Sequence, residues 1–534
     1  MLVDIHNRNI FPAIIEIENR SISAIKKINN ADKRYILPGL IDSHIHIESS
    51  MLTPGNFAVA SVPHGTIGVV SDPHEIANVL GIKGVEYMIK DSGKVPQKFW
   101  FGAPSCVPAT EFETNGGRME IKDIRKLLEK NEIKYLAEMM NFPGVIDDDN
   151  NVRQKLEAAK RLNKKIDGHA PGLKGENLKK YIDAGISTDH ECSTIEEANE
   201  KISRGMKILI REGSAARNLD ALKELYRTNP ETIMLCSDDL HPEMLEKGHI
   251  NKLIAKLISE GFDKFDVIRS ATINPAEHYD LDAGMLRVGD NADFIVTDSL
   301  ETMNIRETWI NGENVYNGRD VKFKYLPGKP VNIFNCTRIS EKEISIKNKG
   351  QKFRVIQAFD GELLTKEIIH DPVKGEQLKT IISEDILKIV VKDRYKNSSP
   401  AVGFIKGFRL KNGAFASSVA HDSHNIIAVG TNERDIVSAV NEIIKLKGGL
   451  VVAKGREISS LQLDVAGIMS GRPCHEVATS YKQLTKKVKK LGCKMSAPFM
   501  TLSFMALLVI PEIKLSDQGL FDGMKFCPAP LFVE

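Results

Sequence analysis

The sequence predicts an α/β protein whose largest part is a (β/α)8 barrel of the TIM type, with a small β-sandwich domain and an additional C-terminal α+β domain. Three observations lead to this prediction. Eight short apolar segments alternate with amphipathic stretches between residues 35 and 280. Shorter alternating segments lie on both sides of that region. The chain of 534 residues is also longer than one domain usually is.

The barrel is predicted from its rhythm of strands and helices. Each apolar segment has the length of a buried strand, and the stretch after it has the apolar spacing of a crossover helix. In barrels of this type, catalytic residues follow the C-terminal ends of the strands. The predicted strands are residues 35–41, 67–70, 99–101, 135–137, those near 166 and 186, 208–210 and 233–236. The predicted helices include 121–130, 152–162, 178–184, 195–203 and 219–226.

The segments outside the barrel, residues 35–280, predict two further domains. Residues 1–34 and 281–325 contain short strands, the second with an Asn311-Gly312 turn signal, so we expect them to form one β-sandwich. A linker around residues 326–350 leads into the C-terminal domain, residues 340–534. That domain is predicted to contain helices at 435–446 and near 480–491, and a hairpin at 448–463.

The composition limits the class of protein. A net charge of +2 without a basic stripe gives no indication of nucleic-acid binding. No apolar run reaches the roughly 18 residues of a membrane span, and the N-terminus lacks the apolar core of a signal peptide. The seven cysteines form no Cys-x-x-Cys pair, which is typical of a reducing compartment. We expect a cytoplasmic protein without nucleic-acid or membrane partners, and a homo-oligomer, a dimer.

The triplet His44-Ile45-His46 is the strongest indication of chemistry. It follows the apolar segment 35–41, and residues at positions i and i+2 of an extended chain point to the same side. Neutral imidazole is the commonest metal ligand in proteins. For the triplet alone, a pair of exposed loop histidines is the alternative.

Ligand-type side chains also follow other predicted strands. They are Glu138 after the fourth, His169 after the fifth, His190 after the sixth and Asp238 after the eighth. Imidazole and carboxylate ligands without thiolates suit Zn, Fe or Mn in a catalytic site. We expect His44, His46 and Asp238 to bind one ion. His169 and His190 are expected to bind a second, with Glu138 bridging both.

Several motifs resemble those of the amidohydrolase superfamily: the His-x-His triplet, the histidines after strands 5 and 6, the Asp after strand 8, Asn-Pro-Ala at 274–276 and the Gly-containing run at 284–294. More specifically, His-Ile-His-Ile-Glu-Ser-Ser (44–50), Ser-Asp-Pro-His-Glu-Ile-Ala-Asn-Val-Leu-Gly (71–81) and Cys-Ser-Asp-Asp-Leu-His-Pro (236–242) resemble the prokaryotic adenine deaminases. Ala-His-Asp-Ser-His-Asn (420–425) and Ala-Pro-Phe-Met-Thr-Leu-Ser-Phe (497–504) extend the resemblance into the C-terminal domain. One departure is the segment before His44, which is shorter than is common in that family.

The resemblance implies a metal-dependent hydrolase of purine salvage that converts adenine to hypoxanthine and ammonia. It implies two divalent ions, Mn or Fe with Zn as an alternative, which hold a hydroxide for attack at C6. Asp238 is expected to accept the proton of the hydroxide and pass it to the leaving amine. Glu138 is expected to take part as the bridging residue.

The acid that protonates N1 of the purine ring is less defined. Glu75 is the prediction, with His74, Asp72 and Glu212 as alternatives at neighbouring strand ends. Alternatively, His74-Glu75 caps a helix that starts at Ile76. A further alternative is that Asp72 or His74 holds an additional metal ion.

Other side chains are predicted to contact the substrate. These are Ser105, Glu212 and His241, with Glu111 and Glu113 shaping the base pocket beyond Ser105. The cluster His421-Asp422-Ser423-His424 is expected either to close the mouth of the barrel or to form a structural turn.

Two other functions remain open. Amidohydrolases that cleave cyclic amides, such as dihydroorotases and hydantoinases, usually bridge their metals with a carboxylated lysine after strand 4. Here the candidate at that place is Glu138, and Lys134 lies at the start of the strand. A non-catalytic barrel scaffold is the second alternative, but such proteins typically lose metal ligands, and all six are present.

Overall fold

The computed structural model describes residues 1–214 and 216–533. Its strands are β1 Leu2–Asp4, β2 Asn9–Phe11, β3 Ala13–Glu18, β4 Ser21–Lys27, β5 Tyr35–Pro38, β6 Leu40–Ile45, β7 Thr66–Ser71, β8 Lys98–Ala103, β9 Ile133–Met139, β10 Lys165–Gly168, β11 Thr188–Asp189, β12 Lys207–Arg211, β13 Ile233–Cys236, β14 Phe294–Thr297, β15 Ile305–Ile310, β16 Glu313–Tyr316, β17 Lys352–Ala358, β18 Thr365–His370, β19 Leu387–Lys392, β20 Ala401–Lys406, β21 Ala414–Ser417, β22 Ile426–Gly430, β23 Gly449–Lys454, β24 Glu457–Gln462, β25 Ile513–Ser516, β26 Gly519–Asp522, β27 Cys527–Ala529 and β28 Phe532–Val533.

Its α-helices are α1 Pro54–Ser61, α2 His74–Leu80, α3 Ile82–Ser92, α4 Ile121–Leu128, α5 Phe142–Ile146, α6 Asn150–Arg161, α7 Gly175–Asp183, α8 Ile195–Ser203, α9 Leu219–Leu222, α10 Pro242–Leu245, α11 Ile250–Ser259, α12 Lys264–Arg269, α13 Ile273–Tyr279, α14 Glu433–Leu446, α15 Cys474–Lys490 and α16 Pro498–Phe504. The chain forms two units. The first contains residues 1–74, 86–106 and 119–327, and the second contains residues 75–85, 107–118 and 328–534.

Two parallel sheets carry the strand-then-helix region of the first unit. One has the order β10-β9-β8-β7-β6 and the other the order β11-β12-β13. They meet at both ends: the Ser187 N–H donates to the Ile166 carbonyl at 2.9 Å, and Ile45 and Asp238 form a parallel bridge. The eight strands therefore curl into a TIM-barrel-like ring, as the sequence predicts.

The first predicted strand, residues 35–41, is two strands in the structure. β5 pairs antiparallel with β14 in a different sheet, whereas β6 pairs with β7 in the barrel. Gly39 lies between them, and a Cβ there would come 2.2 Å from Ile67 Cγ2. The apolar run continues through this change of sheet, so its hydrophobicity alone does not reveal the boundary. The predicted helix at 219–226 is also shorter, because α9 continues as a 3-10 helix over Lys223–Arg227.

The chain segments before and after the barrel share a six-stranded sheet with the order β16-β15-β14-β5-β1-β2. Apolar side chains such as Leu2 and Phe294 form its core, and the Phe294 ring stacks on Trp309 with 5.3 Å between centroids. The predicted Asn311-Gly312 turn is confirmed: Ile310 pairs with Glu313 across it. Both turn residues have positive φ, 49° and 76°, which a two-residue hairpin of this type requires.

The second unit is built on a nine-stranded sheet with the order β18-β17-β20-β19-β22-β21-β23-β24, in which β28 also pairs with β17. The predicted helix at 435–446 is confirmed as α14, whose N-terminus is capped by the Asn432 side chain accepting from the Asp435 N–H. The predicted hairpin is β23 and β24. The helix expected near 480–491 begins earlier, at Cys474.

Two further features concern the helices and the cysteines. In the part of the chain that the structure describes, no helix has the length and hydrophobicity that a membrane crossing requires. All seven cysteines are free thiols.

A buried lysine ties together the loops after β10 and β11. The Lys201 ammonium on α8 donates to Asp189, to Glu197 and to the carbonyl of Ala170, at 3.0, 2.8 and 2.8 Å. Burial alone would raise the pKa of Asp189, but Lys201 brings it down to about 2. Asp189 and Ala170 are the chain neighbours of His190 and His169, so this network fixes the backbone at two predicted metal ligands.

We expect Lys201→Met to lower the melting temperature, because it leaves the carboxylates of Asp189 and Glu197 buried without their cation. Breaking a buried pair in this way costs about 3–5 kcal/mol. Thermal unfolding followed by circular dichroism measures the effect. Lys179→Met on the exposed side of α7 is the matched control, and its effect should stay within about 0.5 kcal/mol. Equal melting temperatures for the two variants would contradict the role of Lys201.

Candidate metal centre and active site

The C-terminal ends of the barrel strands bring the six predicted metal ligands together. They are His44 and His46 on and after β6, Glu138 on β9, His169 after β10, His190 after β11 and Asp238 after β13. Five of these side chains are buried, and His169 is 17% exposed. The arrangement follows from the parallel strands, which all end at the same rim of the barrel.

Glu138 lies at the centre of the cluster. Its Oε2 is 2.8 Å from Nδ1 of His169 and 3.3 Å from Nε2 of His190, and its Oε1 is 3.5 Å from Nε2 of His46. Burial alone would raise the pKa of Glu138, but His169 and His190 hold it well below its usual range. The two oxygens of an ionised carboxylate therefore face two different groups of histidines, as expected of a bridging ligand.

His44, His46 and Asp238 form the other part of the cluster. Oδ1 of Asp238 is 3.2 Å from Nε2 of His46 and 3.6 Å from Nε2 of His44. Nδ1 of His46 is 3.1 Å from the carbonyl oxygen of Asp72. When Nδ1 carries a proton and donates it to this carbonyl, Nε2 is the nitrogen that can bind a metal ion.

The donor set fits divalent metal ions. Groups whose ligand atoms all lie within 4.8 Å of one another include His44-His46-Asp238, His44-Glu138-His190 and His169-His190-Glu191. Both ring nitrogens of the fully buried His44 lack a hydrogen-bond partner among the described residues. Burial lowers the pKa of His44 well below its usual value, so its ring is neutral. A buried neutral imidazole whose ring nitrogens make no hydrogen bond to the described residues is suited to ligate a metal.

Asp72 and His74 extend the cluster on the side of β7. Nδ1 of His74 is 3.0 Å from Oδ2 of Asp72 and 3.5 Å from Oε1 of Glu138. With His46, these three residues form a fourth group of closely spaced ligand atoms. The helix α2 begins at His74, so His74 and Glu75 lie in its first turn rather than capping a helix that starts at Ile76.

Arg211 is a site residue that the sequence analysis missed. It ends β12, and its guanidinium donates to Oδ2 of Asp238 at 2.6 Å and to both carboxylate oxygens of Glu191 at 2.5 and 2.9 Å. Burial alone would raise the pKa of Asp238, but Arg211 and then His46 hold it well below its usual range. The signal available in the sequence is a charged residue at the end of the seventh predicted strand, directly before Glu212.

Buried hydrogen bonds next to Asp238 also fix its backbone conformation. Asp238 has φ 53°, in the left-handed region that few non-glycine residues adopt. The preceding Ser237 donates its N–H at 3.0 Å and its hydroxyl at 2.5 Å to the buried carboxylate of Asp42. Nε2 of His249 lies 2.8 Å from the same carboxylate. These bonds over-determine the turn that aims Asp238 at the histidines.

The three residues that are predicted to contact the substrate each interact with different neighbours. The Ser105 hydroxyl donates to the carbonyl of Glu138 at 2.6 Å, which fixes the end of β9. Glu212 follows Arg211 and lies 3.8 Å from the guanidinium of Arg217, and burial raises its pKa. His241 is buried at the start of α10, where its N–H donates to the Ser214 hydroxyl at 2.8 Å.

Glu75 directly follows His74 in the chain and belongs to the second unit. Within that unit, His421 Nδ1 lies 2.5 Å from Glu75 Oε1, and His424 Nε2 contacts Oε2. Residues 421–423 form a turn between β21 and β22. Glu113, also predicted for the pocket, is buried in the same unit, and burial followed by the charge of Asp422 raises its pKa well above the usual range.

Comparison with known proteins supplies the family. Residues 35–315 match the amidohydrolase family, and residues 362–527 match the adenine deaminase C-terminal domain. The adenine deaminase of Methanosarcina mazei is 49% identical over 548 residues, covering 100% of this chain and 99% of that protein. The adenine deaminase of Sulfurovum sp. is 51% identical over 525 residues, covering 98% and 97%.

The chain belongs to the adenine deaminases of the amidohydrolase family. Membership confirms the resemblance drawn from the motifs at the strand ends and in the C-terminal domain. Together with the buried cluster of histidines and carboxylates, it indicates a metal-dependent hydrolase with a divalent-metal site.

We expect Arg211→Lys to lower kcat/KM while the metal content of the protein is unchanged. Lysine keeps the charge but cannot make the three-oxygen contact to Asp238 and Glu191. Loss of hydrogen bonds to charged groups of about 1.5–3 kcal/mol corresponds to roughly a 10- to 100-fold decrease. Steady-state kinetics with metal analysis measure this. The exposed ion pair of Arg227 with Glu224 provides the control Arg227→Lys, and an unchanged kcat/KM for Arg211→Lys would refute the assignment.

Proposed function

We propose that this protein hydrolyses adenine to hypoxanthine and ammonia. The observation that carries the proposal is full-length similarity to adenine deaminases combined with the convergence of all six ligand-type residues at one rim of the barrel. In the reaction, a water oxygen adds to C6 of the purine. The bond between C6 and the exocyclic nitrogen then breaks, and the nitrogen leaves as ammonia.

Two divalent ions, Mn or Fe, are proposed for the cluster. His44, His46 and Asp238 would hold one, His169 and His190 the other, and Glu138 would bridge them. Such ions lower the pKa of water and thereby supply a nucleophile at neutral pH.

Asp238 is proposed as the residue that moves the proton of the attacking water. Its contact with Arg211 favours the ionised carboxylate, so Asp238 can accept a proton. Oδ2 is occupied by the guanidinium, whereas Oδ1 faces His44 and His46. Asp238 is proposed to take the proton and pass it to the departing amine.

Glu75 is proposed as the acid for N1 of the ring, and it would regain its proton from the hydroxyl group at C6 when the amine leaves. Addition at C6 breaks the aromaticity of the pyrimidine ring, and a proton at N1 stabilises the product of that addition.

Ser105, Glu212 and His241 are proposed to shape and contact the base pocket. A cytoplasmic homodimer is proposed as the working form.

We expect the Mn- or Fe-loaded protein to convert adenine, with loss of adenine absorbance and stoichiometric release of ammonia. His169→Ala and Asp238→Ala should reduce turnover at least 100-fold, because each removes a ligand or proton acceptor. His370→Ala, at a surface ion pair with Glu384 in the second unit, is the control and should keep full activity.

Two results would count against this function. Absence of adenine turnover with intact metal content would refute it. Turnover of a dihydropyrimidine or hydantoin in place of adenine would favour a cyclic-amide hydrolase instead.

A further inference from the structure

The loop between β21 and β22 carries the motif Ala-His-Asp-Ser-His-Asn at 420–425, to which the proposed reaction assigns no role. His421 and His424 are almost completely buried in this loop, at 6% and 1% exposure. The loop is firmly anchored: the His424 N–H donates to the Ala420 carbonyl at 2.7 Å, and the Asn425 side chain accepts from the Arg394 N–H at 3.1 Å. Two strands of the nine-stranded sheet therefore present both imidazoles in fixed positions.

Both imidazoles are directed at one carboxyl group. Glu75, itself 2% exposed, has Oε1 at 2.5 Å from His421 Nδ1 and Oε2 in contact with His424 Nε2. Each oxygen therefore has its own histidine, and rotation of the carboxyl group would break both contacts. A carboxyl group held in this way keeps one orientation.

The hydrogen-bond pattern distinguishes the two oxygens. The Ala420 N–H donates to Nδ1 of His424 at 3.4 Å, so the ring proton of His424 lies on Nε2. Nε2–H then donates to Oε2 of Glu75, which acts as an acceptor. Oε1 faces Nδ1 of His421 at 2.5 Å, so a proton can be exchanged between these two atoms.

The second motif of this unit supports His421. Phe504 is the last residue of α16 and of the segment 497–504, and its ring packs against the His421 ring with 5.3 Å between centroids. Packing on an aromatic ring fixes the plane of the imidazole. The two motifs of the C-terminal domain thus act on the same histidine.

We propose that His421 and His424 are positioning residues for Glu75: His424 fixes the carboxyl group through Oε2, and His421 directs the exchangeable proton to Oε1. The proposal rests on the proposed function, in which Glu75 delivers a proton to N1 of adenine. Glu75, His421 and His424 all belong to the second unit, so the contacts of this cluster lie within that unit.

The test compares conservative and non-conservative variants in the full-length, metal-loaded protein. His424→Gln keeps an N–H donor and should retain kcat within about threefold, whereas His424→Leu should lower kcat roughly 100-fold. His421→Gln keeps a hydrogen bond but cannot exchange a proton, so it should also lower kcat roughly 100-fold with KM changed less than about threefold. In the Glu75→Gln background, adding His424→Leu should cause no further loss.

Equal loss in His424→Gln and His424→Leu, or full additivity with Glu75→Gln, would overturn the proposal. His370→Gln at the surface pair with Glu384 is the control and should behave as the unmodified protein.

A measurement independent of turnover separates this inference from the proposed function. The proton NMR spectrum should contain a far-downfield imidazole N–H signal from the bond between His421 and Glu75. That signal should disappear in His421→Gln and in Glu75→Leu and persist in His370→Gln. If the unmodified protein fails to deaminate adenine, the proposed function fails, while this signal still tests the geometry; its persistence in His421→Gln would refute the pairing.

Discussion

The candidate site depends on the carboxylate of Glu138, which faces His46 with one oxygen and His169 and His190 with the other. A carboxylate buried to this degree is stable only beside groups that offset the cost of removing it from water. The histidines do so, and their positions are in turn set by strands on either side of β9. The end of β9 is fixed by the hydroxyls of Ser105 and Tyr181, which donate to the carbonyls of Glu138 and Met139 at 2.6 and 2.7 Å. The rest of the cluster is arranged around this point.

Two buried cations balance the acidic groups around the histidines. Arg211 contacts Asp238 and Glu191, and Lys201 contacts Asp189 and Glu197. Both cations come from the later part of the barrel, on β12 and α8. They neutralise carboxylates that are close neighbours of predicted ligands, so the cluster carries less net negative charge than its acidic residues alone would suggest.

Sequence reasoning could place the predicted ligands at strand ends because they obey local rules. His44 and His46 follow from the two-residue period of an extended chain, and Glu138, His169, His190 and Asp238 follow from the ends of recognisable apolar segments. The barrel could be predicted for the same reason. The division of residues 35–41 into two strands could not, since hydrophobicity is continuous across Gly39.

Local sequence patterns could not predict the contacts that support the site. Lys201 and Glu197 have the spacing of an ordinary surface pair on a helix, and only the fold shows that both are buried. Glu75 and His424 are 349 positions apart, so no periodicity relates them. Arg211 stands at a strand end like the predicted ligands, but an arginine offers no lone pair to a metal, so a search for ligands passes over it.

Two separate demands apply to the residue at position 238. It must adopt a left-handed backbone conformation, and it is proposed to accept and carry a proton. Asparagine would tolerate this φ and preserve the turn, but it lacks a group that can accept and carry a proton. Glutamate would retain the charge, yet it adopts this backbone conformation less readily and reaches further into the cluster. Aspartate satisfies both demands, so at this residue the shape of the main chain and the proposed proton transfer select the same amino acid.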